Sequence, residues 1–280
     1  MRFWRLAVPP LLLLALWQVV DGPAALAALR GVDPLLWLAA LALLNVQILA
    51  SALRWRLTAG FLGQSLGRGQ AVAEYYLATL GNMVLPGGVL GDAGRAVRAQ
   101  SGVGLAVAAQ AVMIERLAGQ VALFALLLPA LALLPGIAAG PVLALGVLLG
   151  AGAVLVVAGP GWARRFGAQM RRAWLSPGAL PRQLALSAVI LAANIGAFAL
   201  CSAAVGAPLG ALALVLVPLA LLAMLIPLSV GGWGLREGAA GLLWPLAGAT
   251  SEAGIAASIA FGLAALASGL PGLLVPLLRR

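Results

Sequence analysis

The sequence predicts an all-α integral membrane protein of about eight transmembrane helices, with re-entrant or broken segments near residues 71–91 and 226–237. Three observations carry this. Hydrophobic residues make up 64% of the chain and charged residues only 9%, whereas a soluble domain is roughly half apolar and a quarter charged. Apolar runs long enough to cross a bilayer, about 20 residues for a core of roughly 30 Å, recur from end to end. The arginines fall between alternate runs.

The runs are Leu6 to Val20, Pro34 to Leu53, Val103 to Leu134, Val142 to Gly159, Leu184 to Val205, Ala211 to Leu228, Glu237 to Leu246 and Ile255 to Leu278. The first, behind Arg2 and Arg5, has the outline of a signal peptide but reads as an uncleaved anchor because so many spans follow. With eight spans and the N-terminus inside, Arg54, Arg56 and Arg68, the group Arg164, Arg165, Arg171, Arg172 and Arg182, and Arg279 and Arg280 all fall on one side. This is the asymmetry that the positive-inside rule requires, and it places both termini in the cytoplasm. Residues 1–280 read as one polytopic membrane domain, in two weakly related halves of about 1–140 and 141–280.

Composition also removes chemistries. There is no His, and every one of the 17 basic residues is Arg. A histidine metal site, a Schiff-base lysine and a Walker-type phosphate loop are excluded. The single Cys201 forms no internal disulfide. No cofactor, metal or catalytic residue is expected. The net charge of +10 fits anionic lipid headgroups, given where the arginines lie, rather than nucleic acid.

Two segments break the apolar pattern. Residues 71–90 hold Glu74, Tyr75, Tyr76, Asn82 and the run Pro86-Gly87-Gly88. Treated as an ordinary span this segment would scatter the downstream arginines, so it reads as a hairpin that enters and leaves on one side. The second break is Pro227 to Glu237, with Gly231, Gly232 and Gly234. At an offset of 141 residues Pro86, Val89, Gly91 and Arg95 match Pro227, Val230, Gly232 and Arg236, a weak internal repeat. Paired interrupted segments point to a transporter's binding site.

Charges inside the apolar runs mark the candidate site. Glu115 and Arg116 interrupt the third run, and Arg236 and Glu237 open the seventh. A charge at mid-bilayer costs at least about 2.5–3.5 kcal/mol, so each needs a partner. Successive helical residues point about 100° apart, which sends Glu115 and Arg116 to different segments. One reading is cross-helix ion pairing. The other has Arg95, Arg98, Arg116 and Arg236 converging on an anion, most naturally a phosphate, with Asp92, Glu115 and Glu237 orienting them and Asn82 nearby. Asp92 also suits a helix cap. Arg54-Trp55-Arg56 reads as an interfacial anchor, as do Trp37, Trp162, Trp174 and Trp244.

Four motifs in order resemble one family: Ala52-Leu53-Arg54-Trp55-Arg56; Leu85-Pro86-Gly87-Gly88 with Gly91-Asp92 and Arg95; Glu115-Arg116-Leu117; and Gly231-Gly232-Trp233-Gly234-Leu235-Arg236-Glu237. The chain resembles the transmembrane domain of the lysylphosphatidylglycerol synthase, or flippase-like, family along nearly its whole length. The resemblance implies an inner-membrane protein that moves lipids between leaflets. Some members carry a soluble aminoacyl-transferase domain. These 280 residues hold none, so synthase activity is not expected of them. Where the family has an aromatic–arginine pair in the last span, this chain reads Phe261-Gly262, one arginine short of the family's anion site.

The leading expectation is therefore a translocator of an anionic or phosphate-bearing lipid. The alternatives are a membrane enzyme acting on a polyprenyl phosphate or phospholipid, and a membrane partner subunit of a separate enzyme. Membrane lipids are the expected partners, with a homo-oligomer or a membrane enzyme also compatible. The arginine pattern makes a direct prediction. In a Cys201→Ser background, a cysteine at position 170 should label only from the cytoplasmic side, and labelling from outside intact cells would overturn the topology.

Overall fold

The structure is a computed structural model that describes residues 23, 27, 29–85, 88–132, 152, 158–225 and 231–275. The first apolar run, most of the fourth, both chain ends, and Pro86, Gly87 and Pro227 lie outside the described residues. Within them the chain is helical and carries no strand.

Helix α1 (Pro34–Phe61) starts where Asp33 accepts hydrogen bonds from the Leu35 and Leu36 amides and Pro34 supplies a pre-set φ. It runs past the end of the apolar stretch because no proline follows Pro34 in it and no residue takes a positive φ before Gly63, whose φ is 86°. Its 28 residues span about 42 Å at 1.5 Å each. Arg54, Trp55 and Arg56 are thus inside a helix, not in a flank.

Helices α2 (Arg68–Val84) and α3 (Leu90–Arg98) form a hairpin. Gly88 (φ 65°) lies in the turn. Gly91, at the end of the segment near 71–91 expected to be broken, is helical and not part of the break. It sits inside α3 with its α-carbon pressed against the Ala78 carbonyl of α2, and a Cβ there would overlap that oxygen. The contact is what lets the two arms close.

Helix α4 (Gly104–Ala132) stays continuous through Glu115 and Arg116. Helix α5 (Gly161–Leu175) is short and amphipathic. Its Ala163, Gly167 and Ala173 are buried against the bundle while Arg164, Arg165, Arg171 and Arg172 are exposed. Helix α6 (Ala179–Ala204) packs along α1. Helix α7 (Ala213–Leu222) passes through Pro218 into a 3-10 turn, Ala223–Leu225. Beyond the second break, Gly231 to Gly234, comes α8 (Leu235–Leu243), then α9 (Ser251–Gly269), capped by Thr250. A 3-10 stretch, Leu270–Leu274, extends α9 against α2, where Gly272 meets the Tyr76 carbonyl.

Among the described residues four helices are long and apolar enough to cross a membrane: α1, α4, α6, and α9 with its extension to Leu274. The sixth expected run appears as α7 with a 3-10 turn at each end, Gly210–Leu212 and Ala223–Leu225, and the seventh as the nine-residue α8. The main core joins α1, α6, α7, α8 and α9 through Leu44, Phe198, Leu216, Ala240 and Phe261, with Trp244 just past the end of α8. Phe198 stacks on Phe261 with centroids 4.7 Å apart. Trp244 is fully buried and donates to Ser202 Oγ at 2.8 Å, so it is a core residue and not the interfacial anchor expected. Trp162, by contrast, is 63% exposed.

The Gly91 contact yields a stability prediction. Gly91→Ala should destabilise the detergent-solubilised protein by roughly 1–3 kcal/mol, the usual cost of overpacking. Gly69→Ala, where a Cβ meets nothing within 4 Å, should not. Equal melting temperatures for the two variants would refute the hairpin packing.

Candidate functional site

The charged residues of the apolar runs assemble into two clusters. In the first, Glu115 of α4 is fully buried. Its Oε1 accepts from Arg54 of α1 at 2.9 Å and from the Tyr75 hydroxyl of α2 at 3.3 Å. Its Oε2 accepts from Arg95 of α3 at 2.9 Å. Arg95 in turn places Nε 2.9 Å from Asp92 Oδ1. Asp92 Oδ2 accepts from Arg116 Nε at 2.7 Å and from Asn82 at 3.1 Å. The result is an alternating line of charge, Arg54–Glu115–Arg95–Asp92–Arg116, that ties α1, α3 and α4 together.

Local structure places each member. Arg54 is held at its other side by Ser187 Oγ of α6, 3.0 Å away. Arg95 lies between the rings of Trp55 and Tyr75, 4.8 and 4.5 Å from their centroids, so aromatic faces take the place of further acceptors. Asp92 is in the first turn of α3 but does not cap it. The cap is supplied across the hairpin, where Asn82 Oδ1 accepts from the Asp92 amide at 3.3 Å. Beside the line, Arg98 pairs with the buried Glu74 at 2.7 Å.

Exposure is uneven. The side chains of Arg54, Arg95 and Glu115 are at most 4% accessible, whereas Arg116 is 47% and Arg98 34% accessible. Arg116 opens onto the face of α4 that carries the exposed Met113 and Leu117. Three arginines against two carboxylates leave one excess positive charge on the line, and its outer end is Arg116.

The second cluster is closed. Arg236 and Glu237 are fully buried and pair directly, NH2 to Oε1 at 2.7 Å. Ser258 of α9 accepts from Arg236 Nε at 2.9 Å and donates to Glu237 at 2.9 Å. Glu237 also reaches back to the Gly234 amide at 2.6 Å, which swings its carboxylate toward its neighbour. Gly231, Gly232 and Gly234 all have positive φ, 58°, 81° and 86°, the backbone that aims Trp233 at Arg236, 5.3 Å from centroid to guanidinium. Gly262 leaves room for this group. A Cβ there would overlap Arg236 NH2 and crowd the Trp233 ring.

Of the four arginines expected to converge, Arg95, Arg98 and Arg116 gather around the hairpin. Arg236 belongs to the separate cluster, and among the described residues no ion pair joins the two. The second break reaches the hairpin, because the Gly231 backbone packs on the Met83 carbonyl at the end of α2. The matched pair Arg95 and Arg236 occupy different places, the last turn of α3 and the first turn of α8. Sequence reasoning missed Arg54, Trp55, Glu74 and Tyr75. Arg54 and Trp55 were read as an interfacial anchor and are buried, Arg54 as a member of the charge line and Trp55 against Arg95. The available signal was the lack of any proline between Leu53 and Gly63.

Long apolar helices around a buried line of arginines and carboxylates, with a helical hairpin among them, define a polytopic all-α membrane protein. The lysylphosphatidylglycerol synthase TM region family matches residues 3–272, and the chain belongs to that family. It is thereby a membrane protein of a lipid-related family. Comparison with curated proteins and with solved structures gave no match.

The closed second cluster predicts a structural penalty. Arg236→Gln leaves the Glu237 carboxylate without a cation and should cost about 3–5 kcal/mol, whereas replacing both residues by methionine should recover much of the loss. Thermal melting in detergent distinguishes these outcomes. An unshifted melt for Arg236→Gln would remove the pair from the protein's stability.

Proposed function

We propose that this protein moves an anionic or phosphate-bearing lipid between the leaflets of the inner membrane, with both termini in the cytoplasm and α2–α3 as a re-entrant hairpin. The supporting observation is the unbalanced charge line. Its one surplus cation ends at Arg116, the accessible member, beside apolar residues suited to lipid contact. A phosphate at Arg116 would complete the alternation and gain a charge-assisted, fork-shaped contact. Acyl chains would stay in the bilayer alongside α4. Membership of a lipid-related family supports the same reading.

Asp92 keeps Arg95 and Asn82 as partners when Arg116 is removed. Arg116→Gln should therefore melt within about 1 kcal/mol of the parent, as for a partly exposed ion pair. The same variant should slow leaflet exchange of a fluorescent phosphatidylglycerol in liposomes about tenfold or more, the loss of one charge-assisted contact. Arg116→Lys should be intermediate, since a point charge replaces a planar fork. A stable Arg116→Gln protein with full exchange activity would overturn the proposal.

A further inference from the structure

Four arginines on α5 belong to neither cluster. Arg164, Arg165, Arg171 and Arg172 are exposed, and no ion pair among the described residues includes any of them. Helical geometry sorts them into two columns. At about 100° per residue, Arg164 and Arg171 lie one above the other, as do Arg165 and Arg172, each pair separated by two turns or about 10 Å. Ala168 and Leu175 fall between the columns and are exposed. The opposite face is made of small residues, with Ala163, Gly167 and Ala173 buried against the bundle. Trp162 and Leu175 add an exposed apolar side chain at each end.

The packing sets the depth of this helix. Gln183, in the second turn of α6, donates to Thr58 Oγ1 in the last turn of α1 at 3.0 Å and to the Ala173 carbonyl of α5 at 3.3 Å. Helix α1 continues past Thr58 to Phe61, and α6 begins a turn before Gln183. The end of α5 therefore lies beside these two helices, not beyond their ends. Because α1 is longer than the hydrocarbon core is thick, about 42 Å against roughly 30 Å, its last turn stands in the headgroup layer. No carboxylate competes for the arginines there. Among the described residues Glu74, Asp92, Glu115 and Glu237 are buried. Asp33 caps α1 and Glu252 opens α9 at the opposite end of the bundle. At that end the Asp33 amide meets the Ala204 carbonyl of α6, and Trp37 meets the Ala260 carbonyl before α9 runs on to α2.

We infer that the outer face of α5 binds the headgroups of anionic lipids in the leaflet it borders. Charge and depth together select this partner. Unpaired guanidinium forks at headgroup level meet lipid phosphates, which they bind in a bidentate manner. A basic segment at an anionic leaflet gains about fivefold in affinity for each arginine. The surface is separate from Arg116, which lies on α4 beside the hairpin, and it does not depend on lipid translocation.

The experiment reads lipid contact at α5 itself. A fluorophore is attached at position 168 (Ala168→Cys in a Cys201→Ser background) of the full chain in phosphatidylcholine nanodiscs. Its quenching is compared between phosphatidylglycerol and phosphatidylcholine, each carrying a spin label at the top of one acyl chain. Phosphatidylglycerol should quench about fivefold more effectively. The preference should fall toward parity in about 1 M salt, where the Debye length is only about 3 Å. Replacing Arg164, Arg165, Arg171 and Arg172 together by glutamine should remove the preference without shifting the melt, since all four are exposed and unpaired. The preference should persist in Arg116→Gln, so that contact at α5 and leaflet exchange report separately. Equal quenching by the two lipids in the parent would overturn the inference. So would a preference that survives the fourfold replacement, or one that Arg116→Gln abolishes.

Discussion

Everything else in the molecule is arranged around one constraint: a carboxylate at the middle of an apolar helix must find cations inside the protein. Glu115 finds two, Arg54 and Arg95, from helices on either side of it. Neither arginine can be spared, because the desolvation that made the carboxylate expensive applies to them as well. Each addition then demands a counter-charge, so Arg95 takes Asp92 and Asp92 takes Arg116, until the line reaches a surface where a charge can be left over. Helix length, the hairpin and the close Gly91–Ala78 approach all bring these residues into register. The second cluster solves the same problem locally, with a serine completing a compact pair and no surplus.

The two clusters differ in what they allow. A neutral, fully buried pair has no surplus charge to offer a ligand, and the aromatic faces of Trp233 and Phe261 cover it. An open-ended line keeps one. This separates the arginines that hold the bundle together from the one with chemistry to offer. It also shifts the weight of the functional reading from the second glycine-rich break to the first.

Much of the fold was legible because membrane helices obey few rules. Hydropathy alone gave α1, α4, α6 and α9, and the Pro-Gly-Gly run marked the hairpin turn. Helical geometry separated Glu115 from Arg116 before any coordinates. The same geometry is no guide at Arg236 and Glu237, where positive-φ glycines and a carboxylate reaching back to Gly234 bring neighbours together. Arg54 was hidden by a different effect. Arginine beside tryptophan after an apolar run looks the same whether the helix stops there or continues, and only continuation to Phe61 carries both inward. The weak repeat placed Arg95 and Arg236 in equivalent roles, but their partners are set by residues outside the matched window.

Gly262 has a consequence for how such a sequence can change over generations. The space its missing side chain leaves is already filled by the guanidinium of Arg236 and the edge of Trp233. Positions 236 and 262 therefore share one volume in this packing and do not drift independently. A larger residue at 262 requires the guanidinium of Arg236 to take another path. A helix interior that looks permissive for being rich in alanine and glycine is, at this point, already full.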